Sequence, residues 1–117
     1  MEVIKQRVIQ ELVPGKQITL AHIIANPDTS LYKSLSPLEN GEIGQAIGIM
    51  TITPPETVII IADIAVKSAG VQLLSVSMEN GSLVVTGTVS EVEAATNAIL
   101  DYVGKKLGFE VCSLTKT

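Results

Sequence analysis

His22 and Cys112 are the only histidine and the only cysteine among 117 residues, so imidazole or thiolate chemistry has to pass through those two positions. A two-histidine metal site within one chain is excluded. His22 lies between Ala21 and Ile23 in a run rich in β-branched residues, where a structural histidine is the expected reading. Cys112, in the alternating stretch FEVCSL, has no CxxC partner and reads as a buried structural thiol. Copies of Cys112 gathered around the axis of a ring could hold a metal or an iron–sulfur cluster, the one metal reading the sequence leaves open. Asp63 is the single acid inside the apolar run VIIIADIAV, and Lys67 four residues later gives it an ion-pair partner on one helix face. Gly41, Gly44 and Gly48 form no GxGxxG and do not directly precede a helix, which excludes a phosphate-cradling loop. No constellation supports an enzyme, and no cofactor is called for.

Composition points the same way. Hydrophobic residues make up 46% of the chain and aromatics only 3%, so the core has to be built from Ile, Val, Leu and Ala. The net charge of -4 lacks the clustered basic face that nucleic acid requires. The most apolar run, residues 58–66, is broken by Asp63 and falls well short of the roughly 20 residues needed to span a bilayer. The opening MEVIKQRVIQE scatters charges where a secretory signal would carry an apolar centre. With one cysteine, a reducing, cytoplasmic setting is expected.

The elements that would carry these residues follow from pattern. Residues 1–13 alternate loosely and read as a weak strand or a short helix, an N-terminal extension cut off by the turn signal Pro14-Gly15. Residues 17–26 predict a strand, and Asp28 or Thr29 starts a short helix that Pro37 stops. After the loop-like stretch 36–45, AIGIMTIT predicts a strand and residues 54–69 a helix. That helix is expected to open with a Thr53–Glu56 capping box and close at a left-handed Gly70. Residues 71–78 and 82–89 predict strands joined by a type I′ turn at Asn80-Gly81. A second capping box, Ser90 with Glu93, is expected to start a long helix striped by Val92, Ala95, Ile99, Val103 and Leu107, with Gly108 ending it and residues 109–115 forming a last strand. Residues 46–115 thus form a βαββαβ unit, the split βαβ pattern of a ferredoxin-like sandwich within one α/β (α+β) domain.

The first long helix is too apolar for that architecture. Val58, Ile59, Ile60 and Ile61 are consecutive and cover most of its circumference at about 100° per residue. A sandwich needs only one buried stripe, so the surplus must meet either the N-terminal layer of the same chain or another subunit. A ferredoxin-like regulatory module, binding a small metabolite at a subunit interface, would also account for the unit and for this helix, but leaves the N-terminal strand unexplained.

AIGIMTIT, DIAVKSAGVQLL and LVVTGTVSEVEAATNAI together resemble the bacterial microcompartment (BMC) shell domain. ELVPGKQITLAHIIANP and the terminal CSLTKT are similar to the circularly permuted shell proteins of the EutS and PduU type. The resemblance implies a permuted BMC fold, in which the strand and helix of residues 17–35 come first instead of last. It further implies a structural subunit of the shell. Hexamers of this kind tile edge to edge with themselves and other shell hexamers, enclosing the enzymes of a compartment for ethanolamine, propanediol or choline. Lys67 matches the family's edge lysine between neighbouring hexamers, though Gly70 stands where the usual motif has Asn. The hairpin of Glu79, Asn80, Gly81 and Ser82 would approach the six-fold axis, and six Glu79 carboxylates would disfavour anions there. It lacks the Gly-Ser-Gly pore loop of unpermuted members. Six copies of the N-terminal strand, with Val3, Ile4, Val8 and Ile9, would form a small β-barrel capping the opening.

Overall fold

The computed structural model describes residues 15–35 and 44–117. The expected N-terminal strand, with Val3, Ile4, Val8 and Ile9, lies outside the described residues, as do the loop residues 36–43. Four main strands run in the spatial order β3-β4-β2-β1: β1 (Gln17–Ile24), β2 (Ala46–Thr53), β3 (Gln72–Ser77) and β4 (Ser82–Gly87). Each is antiparallel to its neighbour. A short helix, α1 (Thr29–Leu35), follows β1, and Asp28 starts it by accepting hydrogen bonds from the Ser30 N–H and hydroxyl at 3.1 and 3.2 Å. Two longer helices, α2 (Val58–Ser68) and α3 (Val89–Lys105), pack on one face of the sheet. Ile18, Ala21, Ile23, Met50, Ile52, Leu83 and Val85 from the strands meet Val58, Ile61, Ala65, Val92, Ile99 and Val103 from the helices in one aliphatic core.

β1 enters this sheet from the N-terminal side of the chain yet sits inside it, antiparallel to β2 from Gln17 opposite Thr53 to Ile24 opposite Ile47. A bulge between Ile18 and Leu20 resets its alternation, so that Ile18, Ala21 and Ile23 all point inward while Leu20 is left outside. An unbroken strand would have sent Ile18 and Ala21 to opposite faces. The last strand expected over residues 109–115 is instead two stubs, β5 (Glu110–Val111) and β6 (Thr115–Lys116), both parallel to β1 along its outer edge.

Several local expectations are corrected. Thr53 remains in β2 opposite Gln17 and is therefore unavailable as a cap. Pro54 is extended, a 3-10 turn spans Pro55–Thr57, and α2 begins at Val58 without a side-chain cap. α2 ends at Ala69 in extended backbone, and Gly70 has no positive φ. What Gly70 supplies is space, because a Cβ there would lie 2.8 Å from Glu91 Oε2. The second capping box is formed by Thr88 and Glu91, two residues earlier than expected. Glu91 N–H donates to Thr88 Oγ1 at 3.1 Å and Thr88 N–H to Glu91 Oε1 at 2.9 Å. Leu107 lies beyond the end of α3 and is exposed, whereas the rest of the expected stripe is buried. Gly108 has φ +72°, the left-handed stop expected of it.

Candidate functional site

The outer face of α2 is the most unusual surface among the described residues. Its inner face, Val58, Ile61, Ala62 and Ala65, is consumed by the core. Its outer face presents Ile59, Ile60 and Val66 at 49%, 43% and 44% exposure. No described part of the chain covers them, so the layer of residues 17–35 does not absorb the surplus. Asp63 and Lys67, the latter in the last turn of α2, form an ion pair, Nζ to Oδ2 at 2.9 Å, with both side chains largely in solvent. Such a pair contributes at most about 1 kcal/mol and leaves the ammonium available to a further acceptor.

A second apolar patch lies at the other end of the helical layer. Tyr102 near the end of α3, Leu107 just after it, and Val111 in β5 are all exposed. α2 packs beside the edge strand β3, whereas α3 packs toward β1 and β5, so the two patches sit toward opposite ends of the sheet. Two unlike apolar surfaces on opposite flanks are what a head-to-tail contact needs, and head-to-tail contacts close into rings when the rotation permits.

The hairpin carrying Glu79, Asn80, Gly81 and Ser82 is a four-residue connection, with Ser77 and Ser82 as the last pair. Only Gly81 has positive φ, +70°, so the type I′ turn is absent. The loop is instead pinned from two sides. Gly81 N–H donates to Ser77 O at 2.8 Å and Asn80 N–H to Ser77 Oγ at 3.2 Å, while Ile52 N–H donates to Gly81 O at 2.8 Å. A Cβ on Gly81 would lie 2.2 Å from Ile52 O, so the strand end and the loop fit only with glycine. Met78, Glu79 and Asn80 are left exposed at the tip of a rigid loop.

The remaining candidates are His22 and Cys112. His22 hydrogen-bonds through Nδ1 to Thr115 Oγ1 at 2.6 Å and through Nε2 to Thr117 Oγ1 at 2.9 Å. Cys112 is half-buried and packs against the core beside Phe109 and Leu114. Among the described residues no group of three or more His, Cys, Asp or Glu side chains could hold a metal, and no helix is long and apolar enough to cross a membrane. The Asp101 carboxylate raises the pKa of Lys105, through its hydrogen bond and its charge. Lys105 lies in the last turn of α3, one turn on from Tyr102. Sequence reasoning missed the patch at Tyr102, Leu107 and Val111 because Leu107 continues the periodicity of α3 and so reads as core. Gly108 directly after it was the signal that the helix had already ended.

Comparison with known proteins converges on one family. The BMC domain profile matches residues 46–114, which begin at β2 and so leave β1 and α1 in front of the matched segment. The bacterial microcompartment shell protein EutS of Salmonella typhimurium (strain LT2) is 46% identical over 97% of this chain and 98% of its own length. The shell protein PduU of the same organism is 48% identical over 95% of this chain and 93% of its own. Among solved structures, the CutR flat hexamer superposes with a TM-score of 0.80 at 43% identity, covering 90% of this chain and 94% of that one.

Proposed function

Because the chain belongs to the BMC-domain family of bacterial microcompartment shell proteins, we propose that its exposed helix face is the flank on which six copies close into a ring. The protein is a structural subunit of the shell and no enzyme, and its fold is the permuted form of the domain. The reading of a metabolite-binding regulatory module finds no support among its relatives.

The observation that carries the ring is the unlike pair of apolar patches on opposite flanks, Ile59, Ile60 and Val66 on one and Tyr102, Leu107 and Val111 on the other. One copy's α2 then meets the next copy's α3–β5 end. The flat hexamer formed by CutR, a relative at 43% identity, supports the same closure. Lys67, more than half exposed and held only by Asp63, is the contact between neighbouring rings: its ammonium reaches backbone carbonyls or a carboxylate across the edge. Glu79, exposed at the tip of the pinned hairpin, faces the six-fold axis in this reading, and six such carboxylates would favour cations over anions. Residues 1–13, with Val3, Ile4, Val8 and Ile9, cap that opening as a small barrel that no single copy could form.

Native mass spectrometry of the full chain beside a version lacking residues 1–11 tests this. The expected result is a species of about six times the 12.3 kDa chain mass in both, since α2 builds the ring and the leading strand only covers it. A monomer or dimer of the full chain overturns the ring. A hexamer that is lost on truncation leaves the ring but moves its main contact to residues 1–11.

A further inference from the structure

β1 is the only long strand whose outer edge is covered by the end of the chain. At its start, Glu110 N–H donates to Lys16 O at 3.0 Å, and β5 pairs with Gln17 and Ile18. At its end, β6 pairs with His22 and Ile23, Thr117 N–H donates to Ile23 O at 2.9 Å, and Ala25 N–H donates to Thr117 O at 3.0 Å. Between these points the tail is anchored by Cys112 and Leu114, which pack against the core, and Lys116 pairs with Glu93 of α3. The tail therefore crosses β1 as a strap fastened at both ends.

His22 fastens the far end, and its hydrogen-bond partners fix how. Thr115 Oγ1 donates to Ala21 O at 3.3 Å, so its lone pairs face His22 and accept from Nδ1–H. Nε2 is hydrogen-bonded to the Thr117 hydroxyl at 2.9 Å. Both ring nitrogens are spent on two residues of the tail that are 93 and 95 positions away in sequence. A surface histidine whose ring is fully committed to a chain terminus serves to hold that terminus.

We propose that residues 112–117 are a latch keyed by His22, and that its opening is the step that frees β1 from the sheet. On its inner side β1 pairs with β2 along its length and buries Ile18, Ala21 and Ile23 in the core, and among the described residues the tail is the only partner on its outer edge. It is not tied to β2 by a tight turn: 21 residues separate Ile24 from Ala46, including α1, whose described side chains are half-buried or exposed. The latch thus decides whether β1 stays fixed to its own sheet.

Hydrogen–deuterium exchange of the full, assembled chain, read on overlapping peptides through residues 17–25 and 109–117, tests the proposal. Thr117→Val removes one His22 partner at an exposed position without touching the core, and His22→Phe removes both bonds. The expected result is exchange through the whole of β1, including its β2-facing amides, that is about fivefold faster for Thr117→Val and faster still for His22→Phe. Acceleration confined to Ala25 and the tail overturns the proposal, because the tail would then be a passive cover. Unchanged exchange in both peptides overturns it as well. Should His22→Phe fail to fold, Thr117→Val alone decides between these outcomes.

Discussion

α2 and α3 lie side by side on one sheet face, yet they are built to different specifications. α3 is amphipathic in the ordinary way, with Val92, Ala95, Ile99 and Val103 inward and Asn97, Asp101, Lys105 and Lys106 toward water. α2 spends Val58, Ile61 and Ala65 on the same core and still has Ile59, Ile60 and Val66 left on its outer side. The inward stripe of α3 serves the core of one subunit, whereas α2 carries a second apolar face that its own described chain leaves uncovered. Val92, Ala95, Ile99 and Val103 therefore report on the fold of one subunit, and in the proposed ring Ile59, Ile60 and Val66 report on the contact between subunits.

Substitution should separate the two helices. Ile60→Asp places a charge in the ring contact, where an unpaired carboxylate costs about 3 kcal/mol per interface and weakens association about a hundredfold. The expected outcome is a folded subunit that no longer forms hexamers, seen as a fall in mass by light scattering with an unchanged circular dichroism spectrum. Ile99→Ala should do the reverse. It removes buried methyl and methylene groups from the core and should lower unfolding free energy by about 2–5 kcal/mol in urea, with ring size retained at low denaturant. Equal effects of both substitutions on ring size would erase the distinction between the helices.

The helix starts differ as well. α3 opens with the reciprocal Thr88–Glu91 box, whereas α2 runs on from a 3-10 turn and has no side-chain cap. Thr88→Ala is therefore expected to lower stability by about 1 kcal/mol. Thr53→Ala should cost clearly less, because Thr53 Oγ1 makes only a long 3.5 Å bond to Gln17 O. Thermal melts of the two variants under identical conditions provide the comparison, and a larger loss for Thr53→Ala would restore the cap expected from sequence.

That expectation failed for a physical reason. T-P-P-E and S-E-V-E both carry capping residues at the right spacing, but capping needs the first residue to be free of other pairing. Thr53 is committed to β2, and at the other helix the strand ends one residue before Thr88, so the cap falls two positions before Ser90. Strand ends are set by the ladder and so are not local information. The order of the main elements and the surplus on α2 depend on periodicity and family motif, and were legible. The bulge in β1, the split of the last strand into two stubs and the space that Gly70 leaves for Glu91 depend on contacts between distant segments. Nothing in the residues themselves announces them.

The smallest effect on the subunit is expected where the effect on the shell is greatest. Lys67 and Asp63 form an exposed pair on α2, and reversing the lysine's charge should change the stability of the folded subunit by no more than about 1 kcal/mol. The flank patches Ile59, Ile60 and Val66 remain intact, so the ring should persist. Across a ring edge, however, Lys67→Glu replaces a donor by a carboxylate and sets that second carboxylate beside Asp63 on every copy. Like charges four residues apart on one face repel, and the edge loses its only described cation on α2. Negative-stain images at low salt should then show single hexamers where the unsubstituted chain forms extended sheets or tubes. Because exposed charges are screened beyond a Debye length of about 8 Å at physiological ionic strength, raising salt should narrow the difference without removing it. Sheets that form unchanged would move the inter-ring contact away from Lys67 while leaving the flank contact on α2 untouched.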